Sequence, residues 1–271
     1  MTNKCLIKIN KIHLPFFSVK ILENFFFCKS GKIILVMKNE DGSNESANKY
    51  QLTPHQRAML LQGFQYSSRN FASGSIYGVF SLIIDHLLSS NRDLPSFSKA
   101  ASTIVQCGVE MSSFDFVDSL SYAILQPDLS CFRKWIPWTC CTAAVSTVLA
   151  KAIEVPLENL EKKGKFSYKG YLNEVEDNIL SSIGFNVAGG IANMYLPPPS
   201  KIGGKFIRSS ARLVAANLGA HAAGYPLFKC KYGLSAKNQL KAFLFSLPMI
   251  PIQNALFRSS HHLVKSFAKI A

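Results

Sequence analysis

Charge disappears from this sequence in blocks of helical length. Phe71–Ile84, Trp135–Ala150, Leu213–Phe228 and Ala242–Phe257 contain no Asp, Glu, Lys or Arg, and Ile179–Ser200 runs 22 residues without one. A sixth apolar segment, Ala100–Leu125, carries only Glu110, Asp115 and Asp118. The connections between these blocks are short and rich in Lys, Arg, Pro and Ser. A helix needs about 20 mostly apolar residues to cross roughly 30 Å of hydrocarbon. Flanking Lys and Arg let somewhat shorter runs reach both interfaces. The expected fold is therefore all-α: a polytopic membrane helix bundle of about six transmembrane helices.

Composition and local pattern agree with that expectation. Charged residues make up 17% of the chain, against roughly 25% in ordinary soluble domains. Trp135–Ala150 has no polar face. Small residues crowd Thr139–Ala144 and Ala188–Ala192, as close helix packing in lipid requires. Aromatic and basic residues gather at block ends, as in Arg133-Lys134-Trp135, Trp138 and Phe228-Lys229. Strict two-residue alternation is absent, which argues against a transmembrane barrel. Basic residues in the connections lean towards both termini lying on the cytoplasmic or matrix side. The alternative is a soluble, basic helical protein that binds nucleic acid or a protein partner, its apolar blocks being buried core helices.

Four regions follow. Residues 1–36 form a basic apolar N-terminal segment with six lysines and one acid, read either as a targeting segment or as an upstream-start artefact preceding Met37. Residues 37–70 are a polar lead-in followed by an amphipathic helix, for which Thr53 is a cap and Pro54 suits the first position. Residues 71–258 are the six-helix membrane domain. Residues 259–271, with His261-His262, are a solvated basic tail.

Ionisable groups inside apolar segments need a reason, because each costs about 2.5–3.5 kcal/mol on insertion scales. Glu110, Asp115 and Asp118 fall on one side of a helix. They make a water-lined or cation-binding face, or the segment lies at the surface as an amphipathic helix, or it is split into two short pieces around Ser112-Ser113. Lys151, Glu154 and Glu158 lie on one narrow stripe, with Pro156 expected to interrupt the helix and free a carbonyl. These six residues are the candidate intramembrane polar site. Asn186, Gly189, Gly190 and Asn193 are the candidate helix-packing face, with interhelical hydrogen bonds expected from the asparagines. Val155-Pro156-Leu157-Glu158-Asn159 and Ile250-Pro251-Ile252-Gln253-Asn254 echo each other 95 residues apart, which suggests two three-helix repeats.

Pro156-Leu-Glu158-Asn-Leu-Glu161-Lys162-Lys163, followed by Tyr168-Lys-Gly170, resembles part of the mitochondrial carrier signature, with Glu161 where that signature has a base. Gly170-Tyr-Leu-Asn173-Glu174-Val175 and Arg208-Ser-Ser-Ala-Arg212 are similar to short stretches of mitochondrial fission process proteins. No functional residue is carried over from either. Both resemblances imply a mitochondrial membrane, here the inner membrane, in agreement with the formal net charge of +14.

Seven scattered cysteines without a C-x-x-C argue against a disulfide framework or a structural zinc site. No phosphate-cradling loop, nucleophile elbow or zinc-protease motif is present. No enzyme and no cofactor is expected. The basic residues punctuate apolar segments and form no continuous patch, so anionic lipid headgroups are the expected partner and nucleic acid is disfavoured. Small-residue helix faces also suit homo- or hetero-oligomers. The function expected is that of a solute transporter or a membrane scaffold.

Overall fold

The computed structural model describes residues 26–27, 33–34, 53–88, 95–199 and 202–270. The chain divides into two units, Met1–Met59 and Leu60–Ala271. In the first, Phe26–Phe27 (β1) pairs antiparallel with Ile33–Ile34 (β2). The rest of what is expected of residues 1–36 and of the lead-in before Thr53 lies outside the described residues. Thr53 caps helix α1 (Pro54–Leu88) as expected. Its Oγ1 accepts from the Gln56 N–H at 3.2 Å, and Gln56 Oε1 accepts from the Thr53 N–H at 2.8 Å. This reciprocal pair satisfies two donors that the first turn would leave open.

The second unit is built from the rest of α1 and from α2 (Phe97–Leu125), α3 (Phe132–Lys163), α4 (Tyr171–Tyr195), α5 (Ile202–Tyr232), α6 (Ala236–Ser246) and α7 (Met249–Ile270). The all-α expectation holds, and each apolar block falls within helix, save for the last few residues of Ile179–Ser200 and the break at Leu247-Pro248. Four details differ. The amphipathic helix at 54 and the block at 71 are one helix of 35 residues. α2 runs unbroken through Ser112-Ser113. α3 continues through Pro156, whose turn is packed all round by the burial of Glu154, Val155, Pro156 and Asn159; that packing outweighs the roughly 3 kcal/mol a helix-interior proline costs. The last block is instead broken at Leu247-Pro248 into α6 and α7, bent by 45°. Pro156 therefore lies late in a long helix and Pro251 in the first turn of another, so the two similar stretches do not occupy equivalent places.

Neighbours in sequence are neighbours in space. Phe64 of α1 meets Phe116 of α2 edge to face, and Tyr122 of α2 meets Trp138 of α3 in the same way. The Tyr171 hydroxyl of α4 donates to the Val148 carbonyl of α3 at 3.0 Å. α4 and α5 approach most closely at Gly184 and Gly219: a Cβ on either would run into the other's backbone carbonyl oxygen. Asn254 of α7 donates to the hydroxyls of Ser209 and Ser210 of α5, each at 2.8 Å. Ser73 of α1 and His261 of α7 are hydrogen-bonded at 3.2 Å, which closes the circuit.

What lies inside is the reverse of an ordinary soluble core, which Ile, Val, Leu and Phe dominate. Among the described residues, thirteen polar or charged residues are buried, including Asn70, Ser73, Thr142, Thr147, Glu154 and Ser260, against nine apolar ones, four of them alanine. Meanwhile large side chains such as Leu87, Phe97, Ile207, Phe245 and Leu244 point outward. One helix among the described residues, α3, is long and apolar enough to cross a membrane, and the bent α6–α7 pair would make a second if counted as one span. Charge interrupts α2 at Glu110, Asp115 and Asp118, and the uncharged stretch of α4 is diluted by Asn, Ser and Gly.

The α4–α5 crossing generates a prediction. Gly184→Leu must drive two backbones apart, and overpacking of this kind costs about 1–3 kcal/mol or more. Gly189→Ala places its Cβ 3.2 Å from that of Ala216, a displacement of a few tenths of an ångström. Thermal unfolding of the two variants should show a large loss for the first and a small one for the second. Wild-type stability in Gly184→Leu would count against backbone contact there.

Candidate functional site

The six polar residues expected to act together occupy four places. Asp115 accepts a 2.6 Å hydrogen bond from the buried Asn70 amide across the α1–α2 contact. Asp118, one turn on, accepts from the Trp138 indole N–H at 2.7 Å. Trp138 therefore faces inward, not to a membrane interface. Lys151 and Glu154 of α3 form an ion pair almost sealed from solvent, and Glu110 of α2 lies within electrostatic range of both. The second carboxylate oxygen of Glu154 is buried without a hydrogen-bond partner. Glu158 is separate: it pairs with exposed Lys162 at 3.0 Å on the outer face of α3.

Asp115 leads to the larger feature. It lines an open cavity of about 630 Å³ together with Tyr66 and Asn70 of α1, Met111 of α2, Arg212 of α5, and Phe257, Arg258, Ser259, His261, His262 and Lys265 of α7. The lining runs from the middle of α1, α2 and α7 towards the end of the α2–α3 and α4–α5 connections and of the α7 C-terminus. The segment expected to be a solvated basic tail continues α7, with His262 and Lys265 exposed. His261 is held by Ser73, and Arg258 donates to Ser209 Oγ at 3.2 Å, so this part of α7 forms a wall of the cavity. Arg258, His261 and Lys265 recur at the spacing of one helix face, a signal that the sequence carried and that the tail assignment hid.

The opposite end is tied together. Lys231 at the end of α5 bridges Asp177 at 2.6 Å and Glu176 at 3.4 Å near the start of α4, and the Tyr232 hydroxyl donates to Asp177 at 2.5 Å. Asn159 of α3 donates to the carbonyls of Ser167 and Lys169 at 2.7 and 3.1 Å, pinning the α3–α4 loop. Partial burial pushes the Asp177 carboxyl up, but the hydrogen bonds from Lys231 and Tyr232 and the Lys231 charge outweigh it and hold the group below its ordinary value. The Lys231 ammonium is correspondingly raised to about 12, chiefly by its bond to Asp177.

The packing residues divide between two neighbours. Gly190 faces α3, where a Cβ would strike the Trp135 ring, and Gly189 faces Ala216 and Arg212 of α5. Asn186 does not make the expected interhelical bond: it donates to the Ser182 carbonyl of its own helix at 2.9 Å, sharing an acceptor one turn back. The backbone carbonyl of Asn193 accepts from Arg208 of α5 at 2.8 Å. A smaller cavity of about 360 Å³ lies by Ser181, His221 and Gln239, with Gln239 of α6 hydrogen-bonded to the His221 ring at 3.0 Å. Among the described residues, no three His, Cys, Asp or Glu side chains are grouped to hold a metal ion.

The Asp177 cluster gives a pH prediction. A carboxyl depressed in the folded state contributes stability above its unfolded value, and loses that contribution as pH falls through the folded value. Asp177→Asn should therefore lower the melting temperature at pH 7, and the deficit should shrink as pH drops below about 4. A deficit that is constant with pH would show that the charge is not what ties α4 to α5.

The sequence matches no protein family, no characterised protein and no solved structure.

Proposed function

We propose that this chain is a multi-pass membrane helix bundle that admits a solute from one side into a polar interior. The observation that carries this reading is the inverted partition of side chains: hydroxyl, amide and carboxyl groups inside, large apolar groups outside. Hydrocarbon around the bundle gives that arrangement a reason, because lipid accepts the outer residues and the helices shield the inner ones. An open cavity that reaches from mid-bundle towards one end, and a hydrogen-bonded, ion-paired opposite end, suit entry from one side better than a purely structural role. The short resemblances to mitochondrial proteins and the basic balance support an organelle membrane, the mitochondrial inner membrane being the specific proposal. Asp115 and Asp118 are the residues assigned to the permeation route.

Two measurements test this. Carbonate extraction should leave the protein in the membrane pellet; release into the supernatant would sink the membrane reading in favour of a soluble helical protein. In proteoliposomes swollen with a panel of neutral, cationic and anionic osmolytes, the wild type should pass at least one faster than protein-free vesicles. The Asp115→Asn/Asp118→Asn double variant should lose that flux at normal expression. Unchanged flux would refute the assignment, and an integral protein that passes nothing would point to a scaffold.

A further inference from the structure

We propose that the open cavity is a binding site for a dianionic oxyanion, a phosphate monoester or a dicarboxylate, held by Arg212, Arg258 and Lys265, with Asp115 kept aside against α1. This deepens the solute reading above and rests on the same cavity. Three permanent cations and one carboxylate line it, so its fixed charge is matched by a divalent anion. Arg212 and Lys265 make no hydrogen bond or ion pair with the described residues, and Arg212 reaches Asp115 only through the field, with no contact within 4 Å. A guanidinium left without a carboxylate partner beside a concave wall is a bidentate donor pair for an incoming oxyanion. Arg258 is steadied by its bond to Ser209, and Asp115 is held back against α1 by Asn70, so the centre of the cavity stays open. Tyr66, Met111 and Phe257 add an apolar wall for the carbon part of the ligand. A volume of about 630 Å³ suits a small organic molecule.

The test is thermal unfolding of the full chain in detergent. The probes are pyrophosphate, glycerol phosphate, succinate and dihexanoyl phosphatidic acid below its micelle concentration, each against sodium chloride at equal ionic strength, with choline chloride as the cationic control. The dianions should raise the melting temperature, and chloride and choline should not. Arg212→Gln and Lys265→Gln should each weaken the apparent affinity about tenfold, the loss expected for one charge-assisted hydrogen bond. Lys162→Gln, on the outer face of α3, should respond as the wild type does. A stronger response to the short-chain lipid than to glycerol phosphate assigns the anion to a headgroup, and the reverse assigns it to a free solute; both uphold the site. No response beyond chloride, or wild-type affinity in both cavity variants, overturns it. Stabilisation without permeation would keep the anion site and remove transport, whereas permeation of neutral osmolytes alone would do the opposite.

Discussion

Polar groups shut away from water must find their partners within the protein, and among the described residues thirteen buried residues are polar or charged. Its helices meet the requirement in two ways. Several hydroxyls are satisfied within their own turn: Ser146 and Thr147 both donate to the Ala143 carbonyl, at 2.9 and 2.8 Å, and Ser260 donates to Leu256 at 2.9 Å, whereas the buried Ser67 and Ser102 hydroxyls have no partner. Side chains bonded within their turn need nothing from the next helix and allow it to come close. The longer groups reach across: Asn70 to Asp115, Trp138 to Asp118, Asn254 to Ser209 and Ser210. Each of these bonds fixes one helix against another, so the carboxylates assigned to the permeation route are also joints of the fold.

The helices themselves were legible because charge and proline punctuate the sequence at their ends, and because Thr53 announces a cap that the structure uses. The acidic side of α2 was legible too, since Glu110, Asp115 and Asp118 obey the helical period. The division of those residues among different partners was not. Whether Asp118 meets Trp138 or solvent depends on the rotation of α3, and no local pattern states a rotation. The cavity's cations were missed for a similar reason. Arg212 stands alone in α5, and the stripe of Arg258, His261 and Lys265 sits near the chain end, where basic residues usually mean solvation. Only the return of α7 to α1, through Ser73 and His261, turns that stripe inward. The bend at Leu247-Pro248 was hidden inside an uncharged block whose hydropathy alone reads as one span.

The two ends of the bundle differ in chemistry. One presents unneutralised cations around an open space. The other matches Lys231 to Asp177 and Glu176 and pins the α3–α4 loop through Asn159. Glu154, with one oxygen bonded to Lys151 and the other buried without a partner, lies between α2 and α3 among the helices that join these ends. Charge at the open end is thus available to a visitor, and charge at the closed end is already committed.

The small side chains that fill the interior also shape how the protein melts. The heat absorbed per degree on unfolding grows with the apolar area newly given to water, about 12–15 cal/mol/K per residue in ordinary globular proteins. An interior of alanine, serine and threonine has little such area to release, and in the bilayer proposed above the outward-facing leucines and phenylalanines would meet the same surroundings before and after the helices part. Calorimetry of this bundle should accordingly trace a shallow baseline step, and its stability should vary gently with temperature.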